Sequence, residues 1–297
     1  MVSVIIPTYN RISLLSRAIK SVLNQTFKDF ELIVVDDGST DNIRDMVEGF
    51  CRMDARVKYL RQENSGTPAG PLNTGIKYAK GQYVAFLDDD DEWLPSKLEK
   101  QIRLFQISKK PNLGIVGCGC FVIRGDKIKT YEFPKTENIL KSLLDRSVFL
   151  SCSSNVMKNE VFARVGQFDE DFRLFFARDM WLRICRDYDF DFVDEPLYKY
   201  YIHGSNLSRK DASREAAELD RLINKWQVLY KKYPIIWGRQ LKTVGMLYAL
   251  NGNMASAREH FMASIKAAPY YPKNYINLFI SLFGEKMYKK ALLMKKK

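Results

Sequence analysis

Apolar residues in the first part of the chain follow two alternating patterns. Four short runs of β-branched and apolar residues predict buried strands, at residues 2–6, 31–35, 57–60 and 83–87. Between the first two of these runs, the apolar residues of positions 14–23 recur at helical spacing and predict a helix. Such alternation is typical of a mostly parallel sheet flanked by helices, and it predicts an α/β fold.

Helix signals separate these strands and continue after them. We expect helices after Asp41 as an N-cap, near Pro71 and near Pro95. Further helical stretches are predicted at residues 137–145, 160–165 and 178–186, and extended structure at residues 113–133 and 190–201.

After Ser208 the pattern becomes almost purely helical. We therefore place a boundary near residues 205–212, between an α/β domain at residues 1–208 and a small all-α domain at residues 209–297. In the second domain, small, aromatic and proline positions fit a tetratricopeptide repeat at Gly252, Ala257, Phe261, Ser264 and Pro269. An ordinary helical hairpin explains the same positions.

The net charge of +12 belongs to the C-terminal third. Residues 207–297 carry 18 Lys and Arg against 6 Asp and Glu, whereas the rest of the chain carries 29 of each. Such a surface can meet anionic lipid or nucleic acid, but no nucleic-acid motif accompanies it, so we expect no nucleic-acid partner. A peripheral membrane contact or a solvated tail is predicted for Lys286, Lys289, Lys290, Leu292, Leu293 and the lysines at 295–297.

The N-terminal sequence and the cysteines indicate an intracellular protein. The first eleven residues lack the charged and long apolar regions of an export signal. The five cysteines lack paired zinc-site spacing, which favours reduced thiols and, for Cys118 and Cys120, strand packing. We expect a cytoplasmic location, with peripheral contact at the inner face of the membrane.

Acidic residues follow two of the predicted strands. Asp88, Asp89, Asp90 and Asp91, which we call the acidic run, repel one another unless a cation compensates them. A divalent cation such as Mg²⁺ or Mn²⁺, bridging carboxylates and phosphate oxygens, is one explanation, and a solvated turn that caps the next helix is the other.

The second acidic position is Asp37, beside Gly38. Its carboxylate can accept a hydrogen bond from a nucleobase or ribose, or it can belong to a turn in which Gly38 has a positive φ. Ligands of open α/β sheets bind at the carboxyl ends of the strands, where both acidic segments are expected.

Several long blocks, in order, resemble family 2 of the glycosyltransferases, which has the GT-A nucleotide-diphospho-sugar transferase fold. The resemblance covers about residues 1–208. The blocks are VSVIIPTYNR, SVLNQTFKDFELIVVDDGSTD, NTGIKYAKGQYVAFLDDDDEWLPSKLEKQ, SSNVMKNEVFARVGQFDEDF, RDMWLRI and YIHGSNLS.

The resemblance implies a donor site. Asp37 would bind the base, Asp88 or Asp89 would face ribose or sugar, and Asp90 would bind the metal. The remaining implied donor-site residues are Pro7, Tyr9, Arg11 and Asn73. Leu72 stands where the family often has a basic residue, so another cation is expected to meet the diphosphate, from among Arg11, Lys77, Arg124, Arg178 and His203. His203 is also a candidate metal ligand, or a structural histidine.

Asp179 is the expected general base, because an inverting transferase needs a carboxylate that takes the acceptor proton. Family members often carry an acidic residue six positions before the arginine of the WLR segment. Here Asp179 lies four before Arg183. Glu170 and Asp171 are therefore alternative bases, and a helix cap is an alternative role for Asp179.

Aromatic residues near these motifs can stack on sugar rings or pack in the core; they are Trp93, Phe175, Phe176 and Trp181. His260, in the second domain, is expected at the surface or in packing.

We expect a metal-dependent, inverting glycosyltransferase. It would move a sugar from a nucleotide-diphospho-sugar, with UDP the expected nucleotide, to a hydroxyl of a glycan, lipid-linked or protein acceptor in polysaccharide, glycolipid or cell-envelope glycan synthesis. A non-catalytic nucleotide-binding or interaction protein of the same fold is the alternative. A nucleotidyltransferase is disfavoured, because VIIPTYNRISLL offers no glycine-rich phosphate loop.

Overall fold

A computed structural model describes residues 1–133, 138–146, 148, 150–204 and 212–294. The chain divides into a sheet unit, residues 1–139 with 148–203, and a helical unit, residues 140–147 with 204–297. The predicted boundary near residues 205–212 falls mainly outside the described residues, and the domain limits stay a prediction. No described helix is both long and apolar enough to cross a bilayer.

The sheet unit contains a mixed sheet. Along it, the described strands are ordered β3-β2-β1-β4-β8-β6-β9-β5, and β7 pairs with β6. The strands are β1 (Val2–Thr8), β2 (Phe30–Asp36), β3 (Val57–Arg61), β4 (Tyr83–Phe86), β5 (Glu92–Trp93), β6 (Leu113–Arg124), β7 (Lys127–Tyr131), β8 (Val156–Lys158) and β9 (Asp189–Tyr201).

The first half of this sheet is parallel, as the sequence predicts. Strand β1 pairs in parallel with β2 and β4, and β2 pairs in parallel with β3. Buried apolar residues of β1 and β2 pack against buried residues of the intervening helices, because strand alternation and helical spacing present matching apolar faces. The connecting helices are α1 (Ile12–Leu23), α2 (Ile43–Met53) and α3 (Ala69–Tyr78).

The second half mixes parallel and antiparallel pairing. Strand β8 is antiparallel to both β4 and β6, whereas β6 and β9 are parallel. The other helical segments of this unit are α4 (Lys97–Ile107), a 3-10 helix at Cys152–Ser154, α6 (Glu160–Val165) and α7 (Phe176–Ile184), and α5 (Ile139–Asp145) begins at its boundary. Parallel pairing thus describes the half of the sheet formed by β1 to β4, for which the sequence predicts all four strands.

One helix-start prediction is wrong. Helix α2 has Asn42 at its N-cap position, with no side-chain cap bond. Asp41 instead accepts the backbone N–H of Ile12 through Oδ2, at 3.1 Å. Asp41 therefore satisfies a free N–H at the start of α1, because the two loops lie side by side at the sheet edge.

The helical unit confirms the predicted helical extension. Its main helices are α8 (Ala212–Lys225), α9 (Gln227–Tyr230), α10 (Pro234–Leu250), α11 (Met254–Ala267), α12 (Lys273–Ser281) and α13 (Gly284–Met294). Helix α10 approaches α11 closely at Gly245, where an added Cβ would lie 2.6 Å from the Phe261 ring. Ala257, Phe261 and Ser264 of the predicted repeat are buried in this unit. The small and aromatic positions therefore serve helix packing.

Candidate active site

The carboxyl ends of three neighbouring strands bring the predicted donor residues to one sheet edge. Strand β1 ends at Thr8, β2 at Asp36 and β4 at Phe86, and the three run parallel with β1 in the middle. The loops that follow carry Tyr9 with Arg11, Asp37, and the acidic run. Residues far apart in sequence therefore surround one site, as expected for ligand binding in such sheets.

The loops after β1 and β2 are joined by side-chain hydrogen bonds. The Asn10 side-chain oxygen accepts the Thr40 N–H at 2.7 Å, and the Asn10 N–H donates to Ser39 Oγ at 3.0 Å. Asn10 has φ +52°, a conformation that Asn tolerates better than most residues. Gly38 has φ +81°, as predicted, and its Cβ position lies 2.8 Å from the Asn64 nitrogen, so only glycine fits.

Asp37 is buried, and its carboxylate is held by the loop after β3. Oδ1 accepts from Gln62 Nε2 at 2.6 Å and from the Ser65 N–H at 3.0 Å, and Oδ2 accepts from Ser65 Oγ at 3.0 Å. A carboxylate can accept about four hydrogen bonds. Asp37 is thus fixed in place, with acceptor capacity left for a ligand.

Arg11 bonds the acidic run directly. Its Nη1 lies 2.9 Å from Asp89 Oδ1 and 2.9 Å from Asp90 Oδ2. Thr8 Oγ1 donates to Asp89 Oδ2 at 2.8 Å. The structure therefore places the predicted diphosphate cation beside the predicted metal ligand.

Burial and mutual repulsion shift the protonation of the acidic run. Burial, with repulsion from Asp90 and Asp89, raises the pKa of Asp88 to about 7. Burial raises the pKa of Asp89 to about 6, although the Arg11 charge opposes this. Burial, with repulsion from Asp88 and Asp90, also raises the pKa of Asp91 well above its ordinary value. Additional positive charge would relieve this repulsion.

Ser153 connects two members of the acidic run, and the sequence analysis missed it. Its Oγ accepts the Asp88 N–H at 3.0 Å and donates to Asp91 Oδ2 at 2.7 Å. The Ser153 carbonyl accepts the Trp93 Nε1–H at 2.9 Å. Ser153 lies 62 residues from Asp91 in sequence, so no local pattern could have linked them.

His203 and Arg17 complete the surroundings of Asp90. His203 Nε2 lies 3.1 Å from Asp90 Oδ2, a contact that fits either a metal-site residue or a structural histidine. Arg17, which the sequence analysis missed, donates through Nη2 to the Asp90 carbonyl at 2.5 Å and stacks over the Tyr201 ring at 3.8 Å. Arg17 occupies an ordinary polar position of α1, so the sequence pattern does not indicate a role at the site.

Asn73 is buried, and its amide is held by the segment before α7. Its Nδ2 donates to the Phe168 carbonyl at 3.0 Å and to Glu170 Oε1 at 2.8 Å, and its Oδ1 accepts the Phe168 N–H at 2.9 Å.

Among the other candidate cations for the diphosphate, Lys77 and Arg124 are exposed. Arg178 lies on α7, beside Asp179.

Asp179 lies in the first turn of α7 with none of its surface exposed. Its Oδ2 accepts from Arg183 Nε at 2.9 Å, an ion pair at the i,i+4 spacing of one helix face. Glu170 and Asp171, the alternative bases, are exposed. The Asp179 carboxylate is therefore closed off from solvent, unlike those of Glu170 and Asp171.

The aromatic candidates near the site are mainly core residues. Trp93 and Trp181 are buried, and both indole N–H groups donate to backbone carbonyls, of Ser153 and Leu150. Phe175 is buried as well. In the helical unit His260 packs beside Tyr248 and bonds Asp220 at 3.1 Å. Packing therefore explains both tryptophans and His260.

The side chains around Asp90 suit a hard divalent cation as ligands. No group of three or more His, Cys, Asp or Glu side chains converges as a complete metal cage within the residues described. Mg²⁺ commonly takes only one or two protein carboxylates and completes its shell with phosphate and water. Asp90 beside His203, within a repulsive cluster of carboxylates, fits such a partial site.

The model of the family described as Glycosyl transferase family 2 matches residues 3–166, more than half of the chain. The chain belongs to glycosyl transferase family 2. The matched segment contains β1 from its second residue onward, β2 to β4, the acidic run and Ser153. The expected family is confirmed.

Two curated relatives differ in how much of their length this chain spans. An uncharacterized glycosyltransferase of Rickettsia bellii is 49% identical over 105 residues, 35% of this chain but 15% of that protein. The chain thus spans only a small part of that longer relative. Escherichia coli WfgD, named UDP-Glc:alpha-D-GlcNAc-diphosphoundecaprenol beta-1,3-glucosyltransferase, is 33% identical over 234 residues, 77% of this chain and 85% of WfgD.

Solved structures share the fold of this chain. S. aureus TarS 1-349 in complex with UDP-GlcNAc has a TM-score of 0.61 at 17% identity, covering 98% of this chain and 92% of that chain. Mannosyltransferase PcManGT from Pyrobaculum calidifontis, solved with GDP-Man and Mn²⁺, has a TM-score of 0.59 at 16% identity, covering 100% of this chain and 88% of that chain. The predicted GT-A fold is confirmed.

Proposed function

We propose that this chain transfers a sugar from a UDP-sugar to an acceptor hydroxyl, with inversion at the anomeric carbon. One observation carries the proposal: Asp37 and the acidic run meet at the carboxyl ends of adjacent parallel strands, with Arg11 bonded to Asp89 and Asp90. Carboxylates and a guanidinium at such an edge suit the base, ribose and diphosphate of one nucleotide.

The donor would occupy the loops after β1, β2 and β4. Tyr9, which is exposed, and Pro7 would lie against the base, and Asp37 would accept a base N–H. Asp88 and Asp89 would face ribose and sugar, and Arg11 would bond the diphosphate. Asn73 and Ser153 would keep this site in shape; their bonds to the Phe168 segment and to Asp88 support that role. Such positioned groups lower the barrier by orienting the donor.

Asp90 and His203 are the proposed ligands of a divalent cation, Mn²⁺ or Mg²⁺. When bound, this cation would neutralise charge on the departing nucleoside diphosphate. Protonation opposes such binding, because carboxylate ligands must be ionised. Arg11 and His203 already contact the Asp90 carboxylate, at 2.9 and 3.1 Å.

We place the acceptor hydroxyl on a lipid-linked glycan of the cell envelope. The support is WfgD, whose name gives a GlcNAc-diphosphoundecaprenol acceptor. Asp179 is the proposed general base, taking the proton of that hydroxyl as it attacks the anomeric carbon. Arg183 would hold the Asp179 carboxylate in position through their ion pair.

The donor assignment is tested by thermal stabilisation with UDP-, GDP- and dTDP-sugars, with and without Mn²⁺. A UDP-sugar should raise the Tm of the full chain only with metal, because a ligand that binds the native state stabilises it. Asp90→Ala should abolish the rise, whereas Asp45→Ala, at an exposed position of α2, should keep it. If no nucleotide-sugar shifts the Tm, the proposal is wrong.

The base assignment is tested by separating turnover from donor binding. Asp179→Asn should lower kcat by about 10³-fold while the metal-dependent Tm shift with donor persists. Glu170→Gln and Asp171→Asn should leave kcat close to the wild-type value. If either of these lowers kcat and Asp179→Asn does not, the base lies in the segment before α7.

A further inference from the structure

Helix α12 fully buries polar residues and exposes several apolar ones, while its Leu278 and Ile280 are partly buried. Its buried residues are Asn274, Asn277 and Ser281, whose spacing places them on one helix face. We define the apolar face as the exposed apolar side chains of this helix and of the two residues that follow it: Tyr275, Ile276, Phe279, Leu282 and Phe283. A surface helix of a soluble domain normally has the opposite arrangement.

Buried hydrogen bonds fix this orientation of α12. Asn274 Nδ2 donates to the Ser264 carbonyl of α11 at 3.1 Å. Asn277 Oδ1 accepts from the Tyr288 hydroxyl of α13 at 2.9 Å. Rotating α12 to bury the apolar face would break both bonds and leave buried polar groups unsatisfied. The apolar face therefore points away from α11 and α13 in the folded unit.

The apolar face is a cluster and not a scatter of single residues. Phe279 is 63% exposed and Phe283 is 59% exposed, and their ring centroids lie 5.2 Å apart. Ile276, three residues before Phe279, shares the same helix face. Clustered exposed apolar side chains mark interaction sites.

Lysines flank this cluster. Residues 270–297 contain seven Lys and one Glu. Lys273 is exposed at the start of α12, and Lys286 and Lys290 are exposed on α13. A helix that presents aromatic and aliphatic side chains together with lysines suits the boundary between anionic head groups and acyl chains.

We propose that the apolar face and its flanking lysines dock on an anionic lipid bilayer. Helices α12 and α13 have 9 and 11 residues, too short to span a membrane, which takes about 20. A second copy of the chain fits less well, because a two-fold contact would set the lysine-rich surface against itself. The surface would therefore lie in the head-group layer, and this docking is independent of donor binding.

Sedimentation of the full chain with lipid vesicles tests the proposal. The chain should bind vesicles of phosphatidylcholine mixed with phosphatidylglycerol, and bind far less to phosphatidylcholine alone. Phe279→Ser with Phe283→Ser should weaken binding by about tenfold or more, since two aromatic anchors are lost. Lys286→Glu with Lys290→Glu should weaken it by about a hundredfold at low salt, since two charges are reversed at an anionic surface.

A matched control variant and the oligomeric state distinguish membrane docking from nonspecific apolar binding and from self-association. Met53→Ser with Ile107→Ser removes two exposed apolar side chains of the sheet unit and should leave binding unchanged. The Phe variant should keep the wild-type Tm, because both rings are exposed. The proposal fails if the wild type does not bind anionic vesicles, or if the Phe variant binds them as strongly as the wild type does. It also fails if the wild type is a dimer that the Phe variant converts to a monomer.

Discussion

The two units of the molecule bury different kinds of polar side chain. Among the described residues, the buried polar side chains of the sheet unit include charged groups such as Asp36, Asp89, Asp91, Lys97 and Asp179. Those of the helical unit are all neutral, namely Gln240, Ser264, Asn274, Asn277 and Ser281. The sheet unit thus buries charged groups, whereas the helical unit buries only neutral hydrogen-bonding groups among the residues described.

The cost of burial explains why the difference matters. A buried charge costs several kcal/mol unless partners surround it. Lys97 shows the effect: burial lowers its pKa to about 8, while its Nζ bonds Gln101 Oε1 at 2.7 Å and lies 4.0 Å from the Trp93 ring centroid. Neutral amides and hydroxyls cost much less once they are hydrogen-bonded. The buried charges of the sheet unit therefore depend on their partners more than the neutral groups of the helical unit do.

The largest expected effect compares two ion pairs of equal sequence spacing. Arg183→Met removes a partner of the buried Asp179 and should lower the free energy of unfolding by about 3–5 kcal/mol. Lys289→Met breaks the exposed pair with Glu285, also at i,i+4, and should cost about 0.5 kcal/mol or less. Urea denaturation of both variants measures this. Equal losses would show that burial does not distinguish the two units.

The second largest expected effect is a pH-dependent gain in stability when Asp88 is replaced by Asn. The folded-state pKa of Asp88, about 7, lies above its ordinary value of 3.8, so its contribution to the free energy of unfolding falls as pH rises through this interval. In EDTA at pH 8, Asp88→Asn should stabilise the protein by roughly 2 kcal/mol, with the gain vanishing near pH 4. Asp126→Asn, at an exposed turn, is the control for removing one charge. A pH-independent gain would contradict the buried-charge explanation.

The smallest effect concerns the neutral polar groups. Tyr288→Phe leaves the buried Asn277 Oδ1 without its donor and should cost about 1–2 kcal/mol. Tyr275→Phe removes an exposed hydroxyl bonded to the Pro269 carbonyl and should change stability by about 0.5 kcal/mol or less. Thermal melts of the two variants sharpen the comparison. A larger loss at Tyr275 would mean that the polar face of α12 does not hold the helix.

Much of the fold was predictable because its signals are local. Strands β1 to β4 follow from apolar runs, and α1 follows from its helical spacing. The positive φ of Gly38 follows from turn chemistry. The cap at Asp41 was assigned to the wrong helix, because a carboxylate between two loops can bond either, and only the packing of the loops decides.

The candidate site was predictable in part. Asp37 and the acidic run stand directly after strands, so their convergence with Arg11 follows from parallel pairing. Ser153 and Arg17 gave no signal, since a serine next to other serines and an arginine on a helix are common at surface positions. Their importance arises only from contacts across the sheet.

The sequence by itself determined the elements, the family and the chemical groups at the strand ends, because periodicity and strand-end residues are properties of neighbouring positions. The tertiary structure decided which distant groups meet. His203 reaches Asp90 across 113 residues, and Asp179 is buried against Arg183. It also decided that α12 turns its aromatic residues outward, because the buried bonds of Asn274 and Asn277 to neighbouring helices outweigh the helix's own apolar pattern.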